Sequence, residues 1–230
     1  MATLNELVFG VLSSVAPYAS EDTRFTYEKV AYDIKNSRAV LIRNELNKNR
    51  SIDPAIIQSL GCVPVKAVDE AECCSVTTGC YIMRTVEKIP NTIETYNKKL
   101  VTRIGPIKLT EKGYNIVSYN QAQYSGNGEY TKKEVYAFIH NGYVYLKSKN
   151  PDIYQLKYIN IQGIFENPED LTAYQCSETD ETPCYNEDSS YPLNAWMIGY
   201  IENLLYEKYA KMLQIPDDKS NDATDKVTDK

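Results

Sequence analysis

The sequence predicts an α+β fold: a helical bundle drawn from both chain ends, carrying an inserted antiparallel β-rich module, either a barrel or a sandwich. Three observations predict it. Apolar residues recur at helical spacing near both ends. From Cys62 the apolar period changes to two. Asn141-Gly142 stands between two alternating runs, the strongest short-range signal for a hairpin. The expected organisation is a helical domain from 1–61 with 186–213, a β-rich module over 62–185, and a disordered acidic tail over 214–230.

Residues 3–16 read as a short helix. Thr3 and Glu6 have the spacing of a capping box, and Leu4, Leu7, Val8, Val11, Leu12 and Val15 supply an apolar stripe. Pro17 ends it. Residues 27–48 predict a longer helix with Thr26 as N-cap. Val30, Ile34, Leu41 and Ile42 fall on one side with Ser37, while Lys35, Arg38, Arg43 and Lys48 give another side a basic character, read first as a solvated face and otherwise as a partner contact. Asp53 and Pro54 open a third short helix that Gly61 closes.

Strands are expected from Cys62 through Val63, Val65 and Val68, over Tyr81–Val86, Leu100–Gly105 and Asn115–Tyr119, and over Tyr158–Phe165. The hairpin Glu134–Lys147 has a definite register. A two-residue turn at Asn141-Gly142 sets Ile139 against Val144 and Ala137 against Leu146 on an apolar face, with Phe138 against Tyr145 and His140 against Tyr143 as an aromatic ladder on the other. A short helix opens at Asn167-Pro168. Pro192 starts the final helix, Leu193–Leu213, whose expected buried face is Ala195, Trp196, Ile198, Ile201, Leu204, Leu205 and Met212. The remaining stretch holds five Asp and three Lys and almost no apolar residue, the composition of a disordered tail, read as a solvated end or else as a docking arm that folds on a partner.

Composition narrows the function. A net charge of −6 argues against a protein that wraps duplex DNA, which needs a concentrated basic face. No apolar run approaches the ~20 residues that span a bilayer, and Asn5 and Glu6 interrupt the apolar start without a basic region before it, so no signal peptide is read and folding in the cytosol is expected. Tyrosine is abundant, 20 residues against 4 Phe and 1 Trp. It suits surfaces that become buried on assembly, and equally the exposed strand faces of a β-rich module.

Candidates for chemistry are few. His140 is the single histidine, beside a hairpin turn, and both Ser-His-Asp and Cys-His catalysis would depend on it. Gly126-Asn127-Gly128 lacks the Lys-Ser/Thr of a phosphate cradle and reads as a loop. Glu70, Glu72, Glu129 and Glu134 are the carboxylates that hydrolysis could draw on, yet nothing sets a pair ~5–9 Å apart around a cleft. Cys62, Cys73, Cys74 and Cys80 hold enough sulfur for a zinc site, but without the spacing of a zinc knuckle. They read first as buried small hydrophobes, as do Cys176 and Cys184, with zinc or a disulfide formed after release from the cell as alternatives. The expectation is no enzyme, no catalytic residue, no cofactor and no metal.

Arg38-Ala-Val-Leu-Ile-Arg-Asn-Glu-Leu-Asn-Lys-Asn-Arg50 followed by Ser51-Ile-Asp-Pro-Ala-Ile-Ile-Gln-Ser-Leu-Gly-Cys62 resembles structural proteins of crAss-like Bacteroides phages. Asp69-Glu-Ala-Glu-Cys-Cys74, Glu87-Lys-Ile-Pro-Asn-Thr-Ile-Glu94 and Val101-Thr-Arg-Ile-Gly-Pro-Ile107 resemble the same proteins, so the likeness covers about residues 1–175. These strings carry no catalytic meaning. The resemblance implies a virion protein of the neck or tail, similar to the ring, connector or head-to-tail adaptor proteins that continue the DNA channel below the portal. It implies copies of itself in a twelve-fold ring, contacts with the portal protein and with a tail hub or other ring proteins, DNA only as passing channel content, no membrane and no small-molecule substrate, after assembly in the host cytoplasm. The alternative is another virion component, a tail hub or head-decoration protein that contacts a receptor or glycan.

Overall fold

The computed structural model describes residues 2–18, 25–48, 53–71, 78–95, 100–174, 183–186 and 188–214. The chain divides into two compact units, Met1–Asn44 with Glu187–Lys230, and Glu45–Asn186. The fold is α+β. The expected tail beyond residue 214 lies outside the described residues.

Among the described residues the first unit holds α1 (Leu4–Val15), all but the last turn of α2 (Tyr27–Asn47) and the last helix, named α4 below (Ala195–Gln214). The capping box at the start of α1 forms as expected: Thr3 Oγ1 accepts from the Glu6 amide at 3.2 Å, and Glu6 Oε2 accepts from the Thr3 amide at 2.9 Å. Leu4, Leu7, Val8, Val11 and Val15 are buried, and α1 packs on α4. Pro17 lies in a 3-10 turn, Ala16–Tyr18, that follows α1. On α2, Thr26 Oγ1 accepts from the Lys29 amide at 3.4 Å.

The buried line of α2 runs Val30, Ile34, Arg38, Ile42, at steps of four. Arg38 was expected on the solvated side. It is instead fully buried, its Nε donates to the Pro192 carbonyl at 3.0 Å, and its guanidinium lies 5.7 Å from the Tyr191 ring centre. A planar, weakly hydrated cation tolerates burial when a carbonyl and an aromatic face receive it. Leu41 and Ser37, assigned to the stripe, are only half-buried.

The start of α4 is Ala195, three residues after Pro192. Its buried residues are Met197, Ile201, Leu205 and Tyr209, again at steps of four. The expected face was therefore rotated. Trp196 is 52% exposed, and Leu204 and Met212 are exposed as well. The Tyr209 hydroxyl donates to Asp33 Oδ2 at 2.7 Å, and Lys208 Nζ meets the same oxygen at 2.8 Å. Burial first, and then the bond to Asp33, push the Tyr209 phenol above the usual tyrosine range.

The second unit is a seven-stranded sheet of order β3-β7-β1-β2-β6-β5-β4. The strands are β1 (Gln58–Asp69), β2 (Tyr81–Thr85), β3 (Val101–Gly105), β4 (Asn115–Ile116), β5 (Tyr136–His140), β6 (Tyr143–Lys147) and β7 (Tyr158–Gly163), with a one-turn helix α3 (Tyr119–Ala122) after β4. The third helix expected at Asp53 shrinks to a 3-10 turn, Pro54–Ile56, and β1 begins before Gly61. Gly61 and Cys62 do not close a helix. They occupy a register shift between Leu60 and Val63 in the pairing with β7. Residues 58–64 of β1 pair with β7, and Val65–Asp69 pair with β2.

The sheet is antiparallel except that β4 runs parallel to β5, so the wholly antiparallel module expected from the sequence is corrected to a mixed one. The Tyr114 amide beside β4 donates to Ile104 of β3 at 2.7 Å. The two ends of the sheet thus nearly meet, giving a barrel-like form. Leu60, Val63, Ile104, Ala137, Val144, Leu146, Ile159 and Ile161 fill its interior. Gly163 permits a close approach, since a Cβ there would lie 2.8 Å from the Leu100 carbonyl. The β5–β6 register is the one expected, pair for pair, and positive φ at Asn141 and Gly142 (51° and 83°) makes the two-residue turn.

Replacing Tyr209 by Phe removes one bond to a charged acceptor and is expected to cost roughly 1.5–3 kcal/mol in urea unfolding. Lys208→Ala, at a partly exposed position, should cost under about 1 kcal/mol. The folded state holds the Tyr209 proton more tightly than the unfolded chain. The tie therefore contributes fully below about pH 10 and is lost as pH rises further. Tyr209→Phe should make the alkaline loss of stability shallower, and an unchanged alkaline limb contradicts the assignment.

Candidate interaction surfaces

Alternation along β5 and β6 turns Phe138, His140, Tyr143 and Tyr145 to one face of the sheet. The expected ladder forms there, with the Phe138 and Tyr145 rings 5.2 Å apart and nearly parallel. Two further parts were not legible in the sequence. Ser118 caps α3 through a capping box with Gln121, which carries Tyr119 onto His140 with ring centres 4.4 Å apart. Arg84 of β2 places its guanidinium 4.0 Å from the Tyr143 ring centre. Lys147 Nζ donates to the Ala122 and Gln123 carbonyls at 2.7 and 3.2 Å, binding the end of α3 to β6. These groups line a groove of about 540 Å³ that also includes Glu70.

The groove gathers one of the four carboxylates considered above. Glu134 is engaged elsewhere: it accepts from Lys112 Nζ at 2.9 Å and Asn115 Nδ2 at 3.1 Å, and the Lys112 ammonium lowers its pKa. Glu129 sits exposed in the loop before β5, and Glu72 lies outside the described residues. His140 is stacked under Tyr119, and the groove is an aromatic surface with a cationic edge.

The three described cysteines, Cys62, Cys80 and Cys184, depart from the reading as buried small hydrophobes. Cys80 is exposed and Cys62 half-buried at the β1 bulge, both outside any disulfide. Cys184 is disulfide-bonded. Cys73, Cys74 and Cys176 lie outside the described residues. Among the described residues no three His, Cys, Asp or Glu side chains are grouped to hold a metal ion, and no helix is long and apolar enough to cross a membrane.

The helical unit has a different surface. Trp196, Tyr200 and Leu204 follow one another at steps of four along the outward side of α4 and are 52%, 52% and 38% exposed. The exposed residues from Ala195 to Tyr206 include no charge. Glu202, the charge within that span, is half-buried with Oε1 beside Gly10 of α1. On α2, Tyr32, Asn36 and Val40 make a second outward line at the same spacing. Aromatic enrichment with charge depletion is the composition of an interface core.

Lys147→Met should free the two carbonyls at the end of α3, cost about 1 kcal/mol, and speed hydrogen exchange over residues 119–126. Unchanged exchange there would contradict the capping role.

The sequence pattern of a family described as phage tail ring protein 2 matches residues 6–230. A relative described as "Ring protein 2", from Bacteroides phage crAss001, is 24% identical over 231 aligned residues, covering 99% of each chain.

Proposed function

This chain belongs to the phage tail ring protein 2 family, and from that premise we propose that it is a non-enzymatic virion subunit that assembles into a ring. The carrying observation is the family match along nearly the whole chain, residues 6–230. The outward aromatic lines on α2 and α4 support it, because a lone molecule gains nothing from leaving a Trp half in water, whereas a docking face does. A ring closes when each copy uses one patch to receive another, different patch of its neighbour. In the finer reading the ring is a head-to-tail adaptor below the portal, twelve copies to match the portal's symmetry, joined to a tail hub or other ring proteins and continuous with the DNA channel. A net charge of −6 suits a conduit for a passing polyanion, which it does not trap.

The aromatic groove on β2, β5 and β6 is the feature that favours the second reading, a tail-hub or decoration component that meets a receptor or glycan.

Negative-stain imaging of the purified chain, alone and mixed with portal, should show rings. A molecule that stays solitary with and without portal, and that binds a glycan instead, would favour the second reading over the first. Deleting residues 214–230 should weaken association with portal by removing an acidic arm. Portal association undiminished by the deletion contradicts a docking role for that segment.

A further inference from the structure

We infer that the outward face of α4, centred on Trp196 and Tyr200, is the surface by which one copy docks on the next, and that it seats on the Tyr32–Val40 line of the neighbour's α2. The inference rests on the ring reading and deepens it by naming the contact.

The chemistry of the α4 face selects its partner. From Ala195 to Tyr206 the exposed side chains are uncharged, so the face has nothing with which to hold a polyanion or an anionic lipid surface. It offers instead two half-exposed aromatic rings and a leucine in a row. At ~150–250 Å² for a whole aromatic side chain, these and their neighbours expose apolar surface on the order of 400 Å², within the range of functional patches. A standard interface uses about 800 Å² per partner, so the row fits the centre of one such face with a polar rim around it.

The receiving surface is on the same chain. Tyr32, Asn36 and Val40 form a row of the same spacing on α2, 64% exposed at Tyr32 and 50% at Val40, and again uncharged. Helix rows at steps of four pack into one another's grooves. Exposed charges of both signs bound the two rows, Glu28, Lys29 and Arg43 on α2 and Glu207 and Lys208 on α4, so each uncharged row lies inside a charged rim. Two different rows make a head-to-tail contact, which propagates, in place of a two-fold contact, which stops at a dimer.

The chain has a built-in reporter. Trp196 is its single tryptophan among 20 tyrosines, so emission excited selectively at tryptophan in the chain by itself reads this face alone. The full chain is followed by mass photometry and by fluorescence across a concentration series, with and without portal. Assembly should shift Trp196 emission to the blue. Trp196→Ala and Tyr32→Ala should each raise the concentration needed for assembly roughly 30-fold, with melting temperatures unchanged because both positions are exposed. Wild-type rings whose Trp196 emission stays at its monomer value, or rings that form equally well from the two variants, overturn this inference and leave the ring reading standing. Closed dimers built on α4 overturn the head-to-tail arrangement. A wild type that assembles under neither condition overturns the ring reading and this inference with it.

Discussion

The hydrogen bond from Tyr209 to Asp33 decides which side of α4 the protein hides. Asp33 is nearly buried on α2 and needs donors, and Tyr209 and Lys208 supply them to one oxygen. Once Tyr209 faces inward, the helical period brings Leu205, Ile201 and Met197 in with it. The same period turns Trp196 and Tyr200 outward. Arg38 acts alongside, holding the segment before α4 through the Pro192 carbonyl. Two buried polar ties between residues 154 and 176 apart in sequence therefore join the chain's ends into one unit and fix its outward face.

The sheet unit obeys a different constraint. A twelve-residue β1 serves two neighbours in succession, and the irregularity at Gly61-Cys62 falls where it pairs with β7. Bulges bend a strand and raise its twist, which helps a seven-stranded sheet curl toward closure. The short parallel β4 and the Tyr114–Ile104 bond bring the two edges together, leaving little open edge for strand addition by another chain.

What the sequence made legible was local. The Asn141-Gly142 turn and the alternation around it determined the β5–β6 register because a side-chain period of two leaves one face for the core. The caps at Thr3, Thr26 and Asp53 were readable because a side chain three or two residues away satisfies a helix-end amide. The rest depended on partners remote in sequence. Arg38 looked solvated because nothing local reveals the Pro192 carbonyl or the Tyr191 ring. The α4 face was misjudged because Trp and Leu outrank Tyr on hydrophobicity, while Tyr209 was buried by a bond to Asp33. The parallel β4 and the Tyr119–His140 stack follow from the path after β3, which has no short-range signature. The resemblance to crAss-like phage structural proteins agreed with the family match, and it supplied what periodicity could not.

In the proposed reading this chain acts through faces that meet other subunits, and the helical unit carries the principal one. Hydroxyl-radical footprinting of dispersed and assembled protein tests that side chain by side chain. Strong protection of Trp196, Tyr200 and Tyr32 is expected on assembly, with Tyr119 and Tyr143 of the sheet groove little changed. Protection confined to the groove, with Trp196 oxidised as readily as in the dispersed chain, would contradict it.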